Sequence, residues 1–326
     1  MGELRLPHQE AVAGLPARAM IVVYGSDALP PPPRDGGARA VAIGNFDGVH
    51  RGHRHVLSRL SSLAADAGLP TWVYTFDPPP TAVLAPDRHQ PRLMTLARRL
   101  ALLEELGVDG AVVEPFTRAF AAQSAAEFAS TVLSSRLQAR AVVVGWDFRF
   151  GSGRGGDVDA LRAALPAVVV EQVSPMIEGE EPISSSRIRR LIAAGDVVGA
   201  AALLGRPHRL SGTVVHGDAR GRTIGFPTAN LRSDVECLPA FGVYAVNAHI
   251  GAGAAIRGVL NIGVRPTFQG SELRIEAHLL DWQGDLYGSE LALDLVARIR
   301  DEQRFASIDA LVAQIREDAD AARRLL

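Results

Sequence analysis

Ala42-Ile43-Gly44-Asn45-Phe46-Asp47-Gly48-Val49-His50-Arg51-Gly52-His53 joins an apolar run to a turn and then to a helical pattern. The run Ala40-Val41-Ala42-Ile43 stops at a Gly, turn-forming residues follow, and two His flank Arg51-Gly52. That order predicts a strand, a tight loop and a helix N-terminus. Helix N-termini carry unpaired backbone N–H groups and a partial positive charge, so phosphate binds there. Two imidazoles at such a place can hydrogen-bond phosphate oxygens and support charge that develops on them. Gly52 lets backbone approach a ligand closely. A lone surface His is commonplace, but a pair in this setting reads as a phosphate site.

Outward from this loop, strands and helices alternate. A helix over 53–67 places Val56, Leu57, Leu60, Leu63 and Ala64 on one face and stops at Gly68 and Pro70. Residues 71–76 predict a strand, closed by Asp77-Pro78-Pro79-Pro80, which cannot pair in a sheet. A helix over 95–106 and a strand over 110–113 follow. Ser124 and Glu127 form a capping box for a helix that ends near 137. A strand over 141–144 runs into Gly145-Trp146-Asp147-Phe148-Arg149-Phe150-Gly151, and a helix over 157–165 and a strand over 167–170 complete the series. Upstream, Ile21-Val22-Val23-Tyr24 reads as a first strand, with residues 1–19 as a disordered extension or the product of an upstream start. Short apolar strands separated by helices predict an α/β doubly wound parallel sheet covered on both faces. Ligands in such sheets sit outside the strand C-termini, where the His50 and His53 loop falls.

Beyond the acidic stretch Glu178-Gly179-Glu180-Glu181 lies Ile183-Ser184-Ser185-Ser186-Arg187-Ile188-Arg189-Arg190. Ser at a helix start with Arg in the first turn offers hydroxyls, N–H groups and guanidinium forks to phosphate, although a plain Ser N-cap on a basic helix would look the same. An Ala-rich helix continues to Leu204, and Gly205-Arg206-Pro207 reads as a linker. From Arg209 the pattern changes to strands without intervening helices: 210–215, 242–246, 256–262, 273–280 and 291–299. Five or six such strands predict an antiparallel β-barrel. A C-terminal helix over 307–326, with Ile308, Leu311, Val312 and Ile315 on one face, is expected to pack on it.

With 326 residues the chain has room for two domains, and 47% hydrophobic with 21% charged residues is a globular composition. No apolar run reaches the roughly 18 residues of a membrane span, and the N-terminal stretch has no apolar block of a signal peptide. One cysteine, Cys237, rules out an internal disulfide and points to a cytoplasmic protein. A net charge of -2 argues against nucleic acid as a bulk partner. All 34 basic residues are Arg, so a Walker-type phosphate loop and a Schiff-base mechanism are both excluded. Phosphate chemistry here must rest on Arg, His, backbone N–H groups and metal.

The second half concentrates its special residues in Gly217-Asp218-Ala219-Arg220-Gly221-Arg222-Thr223-Ile224-Gly225-Phe226-Pro227-Thr228-Ala229-Asn230. Its glycines allow backbone amides to wrap a polyphosphate, and Thr228 and Asn230 supply oxygens suited to Mg²⁺. A glycine-rich barrel hairpin is the plainer alternative. Glu276, in Glu276-Ala277-His278, is either a positioned base or an outward charge on an exposed strand face.

Gly44 to His53 resembles the His-x-Gly-His signature of the nucleotidyltransferase superfamily, and the full string resembles the prokaryotic bifunctional riboflavin kinase/FAD synthetase (FMN adenylyltransferase) family. Gly-Phe-Pro-Thr-Ala-Asn at 225–230 resembles the riboflavin kinase signature, and Asn261-Ile262-Gly263-Val264-Arg265-Pro266-Thr267-Phe268 the loop that follows it. The resemblance covers about 22–326. It implies an adenylyltransferase (nucleotidyltransferase, Rossmann-like) domain over 20–186, a linker helix over 187–205 and a riboflavin kinase domain over 206–326. The implied catalytic residues are Glu276 as base, His50, His53 and Arg189. ATP and phosphate binding falls to Gly44, Asn45, Phe46, Asp47, Gly48, Ser185, Ser186, Gly217, Arg222, Gly225, Pro227 and Thr228. Flavin binding falls to Asp147, Phe148, Arg149 and Asn230, and Mg²⁺ to Thr228 and Asn230. Riboflavin, FMN and ATP are the implied partners, with no nucleic acid and no membrane. No role is implied for Asp301-Glu302-Gln303-Arg304-Phe305. One departure matters: Pro79 stands where the family usually carries His. A lost hydrogen bond to a charged group costs about 1.5–3 kcal/mol, or roughly ten- to hundredfold in rate. The alternatives are a riboflavin kinase with a degenerate, scaffold or regulatory first domain, and a flavin- or nucleotide-binding sensor without turnover.

Overall fold

The computed structural model describes residues 19–29, 37–88, 90–217, 224–251, 253–267 and 270–326, and of 265–267 and 270–272 the backbone alone. The expectations for residues 1–18, for 218–223 with Arg222, and for Phe268 lie outside the described residues.

The first part is a six-stranded, all-parallel sheet of β1 (Ile21–Tyr24), β2 (Arg39–Ile43), β3 (Thr71–Phe76), β4 (Gly110–Glu114), β5 (Ala139–Gly145) and β6 (Val169–Val173), in the order β1-β4-β3-β2-β5-β6. The chain moves from β2 out through β3 and β4, then returns to lay β5 on the other side of β2. That reversal makes the β2/β5 boundary the switch point, outside whose C-terminal ends a crevice opens. Every residue of β2 and β4 is buried, which is why all but their end residues Arg39 and Glu114 read as apolar runs. One face is covered by α1 (Arg51–Ala67), through Val56, Leu57, Leu60 and Ala64, and by Leu102 and Leu103 of α3 (Leu96–Glu105). The other is covered by α6 (Val158–Ala164) and by α5 (Ala125–Glu127), which runs on as π-type turns over Phe128–Arg136. The Ser124 capping box forms as expected. Two further short helices, α2 (Pro80–Leu84) and α4 (Arg118–Ala121), line the rim of the crevice.

Strand β6 differs from the expected 167–170: it begins at Val169 and includes Glu171 and Gln172. It pairs with β5 alone, so as an edge strand it tolerates polar residues, and Glu171 takes a bidentate pair from Arg59 of α1. The acidic stretch after it folds as a small hairpin, β7 (Ile177–Glu178) with β8 (Glu181–Pro182). The single linker helix also needs correction. α7 (Ser185–Ala193) and α8 (Val197–Leu204) are separate, because Gly195 turns left-handed at φ 81° and Asp196 caps the new helix by accepting from the Gly199 N–H.

The second part is a closed antiparallel barrel in the order β10-β13-β12-β11-β14-β9. Its strands are β9 (His208–Val215), β10 (Ala229–Ser233), β11 (Gly242–Ile250), β12 (Ile256–Thr267), β13 (Gly270–Leu279) and β14 (Glu290–Asp301). β10 is a strand that sequence patterning did not separate from the glycine-rich stretch before it. Leu210, Val214, Tyr244, Val246, Leu260, Ile262, Ile275, Leu293 and Leu295 fill the barrel. The alternating burial along β9 is the period-two pattern of a strand with one face inside. The last helix, α9 (Ile308–Leu325), packs on the barrel chiefly by its C-terminal half, with Leu311, Val312 and Ile315 of the predicted apolar stripe only half-buried. Ala319 and Ala322 meet Val243, Ala245 and Val259, Asp318 forms a bidentate pair with Arg300, and Ile308 is 67% exposed. Small residues allow close approach there, and the buried ion pair fixes the register.

Candidate functional site

β2 ends at Ile43, and the chain turns through 44–50 into α1. His50 is the N-cap of that helix: its Nδ1 accepts the His53 N–H at 3.2 Å. An accepting Nδ1 is unprotonated, so the neutral ring carries its proton on Nε2. His53 stacks on His50 with ring centroids 3.6 Å apart. Its Nδ1 is buried and has no partner among the described residues. Burial, then the charges of Arg206 and Arg189, push the His50 pKa down to about 4. Burial, then His50, Arg99 and Arg206, push His53 well below its ordinary value. Both rings are therefore neutral N–H donors at neutral pH, as two stacked imidazoles must be to avoid facing like charges. Gly52 is fixed by this packing: a Cβ there would lie 3.1 Å from His50 Nδ1.

Four strand ends open on one cavity of about 980 Å³, lined by 44–47, His50 and His53 after β2, Phe76 and Asp77 after β3, 145–154 after β5 and 173–176 after β6. Ser184, Ser185, Ser186 and Arg189 close it from α7. Its volume is at the top of the roughly 300–1,000 Å³ range of small-molecule sites, so two sizeable ligands can meet in it. Asp147, Phe148 and Arg149 line it, with Phe148 stacked on Phe150 at 5.2 Å and Arg149 paired with Asp157. Gly48 is not among its lining residues; it shapes the turn, at φ 89°. Pro79 stands on the cavity wall and presents no donor.

Within the cavity Asp47 organises the cations. Its carboxylate pairs with Arg189 Nη2 and accepts the Leu93 N–H, and its carbonyl takes the Ser185 hydroxyl at 2.8 Å. Arg189 also donates to the Pro91 carbonyl and to Gln90 Oε1, which Ser186 approaches at 3.4 Å. Of the predicted residues, Asp47, Ser185, Ser186 and Arg189 thus form one network. Sequence reasoning missed Arg99, whose buried guanidinium donates to the carbonyls of Asn45 and Phe76 and so ties the chain after β2 to the end of β3. Its signal was a charge beside the apolar positions Leu96, Leu100 and Leu103 of a helix. Phe76, Phe116, Phe120 and Phe128, which form an edge-to-face chain along the cavity, were missed as well.

The barrel carries a second constellation. Asn230 of β10 lies directly opposite Glu276 of β13, and Glu276 lies opposite Asn261 of β12, so three polar residues form one row across three strands. Ile275 and Ala277 beside Glu276 point into the core, so the row faces outward. Gly217 sits tight against Asn230, where any Cβ would clash with its amide. Pro227 packs above the row's neighbour: its carbonyl meets His278 Nδ1 at 2.8 Å, and Phe226 stands edge-on to the His278 ring. Gly225 adopts φ 85°, which only a residue without Cβ accepts readily. Gly217, Asn230 and Glu276 thus lie together, with Pro227 held to His278 two residues beyond Glu276. Glu302, for which no role was read, lies over Gly263 on the same face of β12 as Asn261. Among the described residues none beyond Arg189 lines the large cavity, so the chain presents two separate sites.

Comparison with known proteins agrees with this division. The FAD synthetase family model matches residues 33–187, and the riboflavin kinase family model matches residues 204–326. The bifunctional riboflavin kinase/FMN adenylyltransferase of Escherichia coli strain K12 is 43% identical over 307 residues, covering 93% of this chain and 97% of its own. Proteins of the same description from Haemophilus influenzae and Bacillus subtilis are 39% and 37% identical, each over 87% of this chain and over 93% and 91% of their own lengths. A crystal structure from Streptococcus pneumoniae, described as a macrolide-efflux protein, superposes with a TM-score of 0.85 at 34% identity, covering 93% of this chain and 99% of that one. No helix among the described residues is long and apolar enough to cross a membrane.

Proposed function

The chain belongs to the bifunctional riboflavin kinase/FMN adenylyltransferase family, and from that premise we propose that it phosphorylates riboflavin with ATP to give FMN and then joins FMN to AMP from a second ATP, giving FAD and pyrophosphate. Residues 20–186 with α7 carry adenylyl transfer, and 206–326 carry phosphorylation. The observation that carries this reading is the presence in one chain of a neutral, stacked His pair at a helix N-terminus and, separately, a carboxylate set in a row of amides beside a glycine-rich turn.

In the barrel, Glu276 takes the proton from the ribityl 5′-hydroxyl as that oxygen attacks the γ-phosphorus of ATP, and ADP leaves. Asn230 and Asn261 flank Glu276 on the neighbouring strands, and Arg274 Nη1 pairs with its carboxylate at 3.5 Å. Thr228 and Asn230 offer neutral oxygens beside a carboxylate, a donor set that suits Mg²⁺, which takes few protein ligands and completes its shell with phosphate and water. When bound there, Mg²⁺ neutralises charge on the polyphosphate.

In the α/β part the FMN phosphate is already ionised, so no base is required. A phosphate oxygen of FMN attacks the α-phosphorus of ATP, and the bond to pyrophosphate breaks. His50 and His53 donate N–H groups to phosphate oxygens, and the N-terminus of α1 adds its dipole. Arg189 supplies charge, and Ser185 and Ser186 donate from the first turn of α7. The aromatic chain from Phe76 to Phe128, with Phe148, offers an apolar bed to the isoalloxazine ring. A single, buried cysteine is in keeping with a cytoplasmic enzyme.

Incubation of the full chain with riboflavin, ATP and Mg²⁺, followed by chromatography of the products, tests the reading. FMN appearing first and FAD after it is the expected course. FMN without FAD overturns the second activity, and recovery of unaltered riboflavin overturns the first.

A further inference from the structure

We propose that Arg206, which lies in the riboflavin kinase segment of the chain, is a positioning residue for adenylyl transfer in the other half. Its guanidinium donates to the carbonyl of Gly48 at 2.6 Å, of Val49 at 3.1 Å and of Leu204 at 3.3 Å. Gly48 and Val49 are the two residues before His50. Both are buried, and both hold left-handed conformations, at φ 89° and 37°. Val49 is β-branched, so this backbone is strained and must be held by its surroundings. Buried carbonyls in such a turn also need donors, and α1 begins too late to supply them. Arg206 reaches them from the seam between the two parts of the fold.

Arg206 does not line the large cavity, so it touches no substrate and acts through the turn. A displaced Gly48-Val49 carries His50 with it, and His50 holds the N–H of His53. Burial and the neighbouring Arg54 and Arg98 bring the Arg206 pKa down to about 10, so the group remains charged at neutral pH. Its charge is the second cause, after burial, that keeps His50 neutral. One guanidinium therefore holds the turn that places the first imidazole and adds to the burial that keeps it neutral. The linker that leads into the barrel completes the first part's site.

The inference rests on the adenylyl-transfer reading above, and wild-type protein supplied with FMN and ATP is the control: no FAD from the wild type defeats that reading and not this one. In the full-length variant Arg206→Met, kcat for FAD formation is expected to fall at least about tenfold, as for an ångström-scale misplacement of a catalytic group. KM for ATP should change less than about threefold, and riboflavin phosphorylation, assayed separately, less than about twofold. Arg206→Lys, which keeps the charge and can still donate to carbonyls, should recover part of the lost kcat at a wild-type melting temperature. A wild-type kcat in Arg206→Met overturns the proposal. So does an equal loss of both activities, which marks a general strut between the two parts, or a rise in KM alone.

Discussion

Glu276, the proposed base of the barrel, and Pro79, on the wall of the large cavity, are the side chains at which the two activities are most directly tested. Glu276→Gln keeps the shape of the Asn230–Glu276–Asn261 row and removes the base. Phosphorylation of riboflavin should then fall by roughly 10²- to 10⁴-fold, while FAD formation from supplied FMN stays at wild type. A coupled ADP assay beside a pyrophosphate assay on the same preparation checks both. Pro79 has φ -65° and caps α2 without any side-chain hydrogen bond. His can take that backbone and bring a donor to the cavity wall. Pro79→His should raise kcat for FAD formation by up to about tenfold, the lower bound of a charge-assisted hydrogen bond felt in the transition state. An unchanged or lower kcat would show that the loop has adjusted around the missing donor.

At the scale of elements, α7 is the piece that turns a fold into a site. Ser184 accepts the Arg187 N–H as its N-cap, which directs Ser185 to the Asp47 carbonyl and Arg189 to the Asp47 carboxylate. Ser184→Ala removes the cap and should cost about 1 kcal/mol in urea unfolding. FAD formation should fall several-fold while riboflavin phosphorylation holds, since α7 contributes nothing to the barrel row. Most elements were legible from local pattern. α1 and β2 followed from an apolar run, a glycine turn and a 3.6-residue stripe, all of them short-range. β10 was not legible, because its five residues sit inside a motif whose glycines and proline signal a loop. The break between α7 and α8 was hidden by apolar content that continues across Gly195, and the docking of α9 by an ion pair whose partner, Arg300, is on another element.

For the whole molecule, burial of histidines sets the response to acid. His50 and His208 are buried with pKa values of about 4, both lowered chiefly by desolvation, and His208 Nε2 donates to the Cys237 carbonyl at 2.9 Å. In the unfolded chain both titrate near 6.5. The unfolded state therefore binds more protons between pH 6.5 and 4, so stability is complete above 6.5 and is lost as pH falls through that window. Each shift corresponds to roughly 3 kcal/mol. The melting temperature should be level from pH 7 to 8 and drop steadily from pH 6.5 to 4.5. His208→Gln, which can keep the bond to Cys237, should flatten that drop. An identical slope in the variant would exclude His208 as a source.

The sequence by itself determined the two architectures, the turn at 44–53 between β2 and α1 and Glu276 as the candidate base, because each depends on residues near one another along the chain: strand period, helix stripe, glycine at a turn. What only the tertiary structure decided lies where distant segments meet. Arg99 binds two loops from a third element, Arg189 is oriented by Asp47 and Gln90, and Arg206 reaches from one half of the chain to the turn of the other. The protonation of His50 belongs to the same class. An imidazole in a short motif carries no mark of its pKa until burial and the charges of Arg206 and Arg189 surround it, and those come from residues more than a hundred positions away.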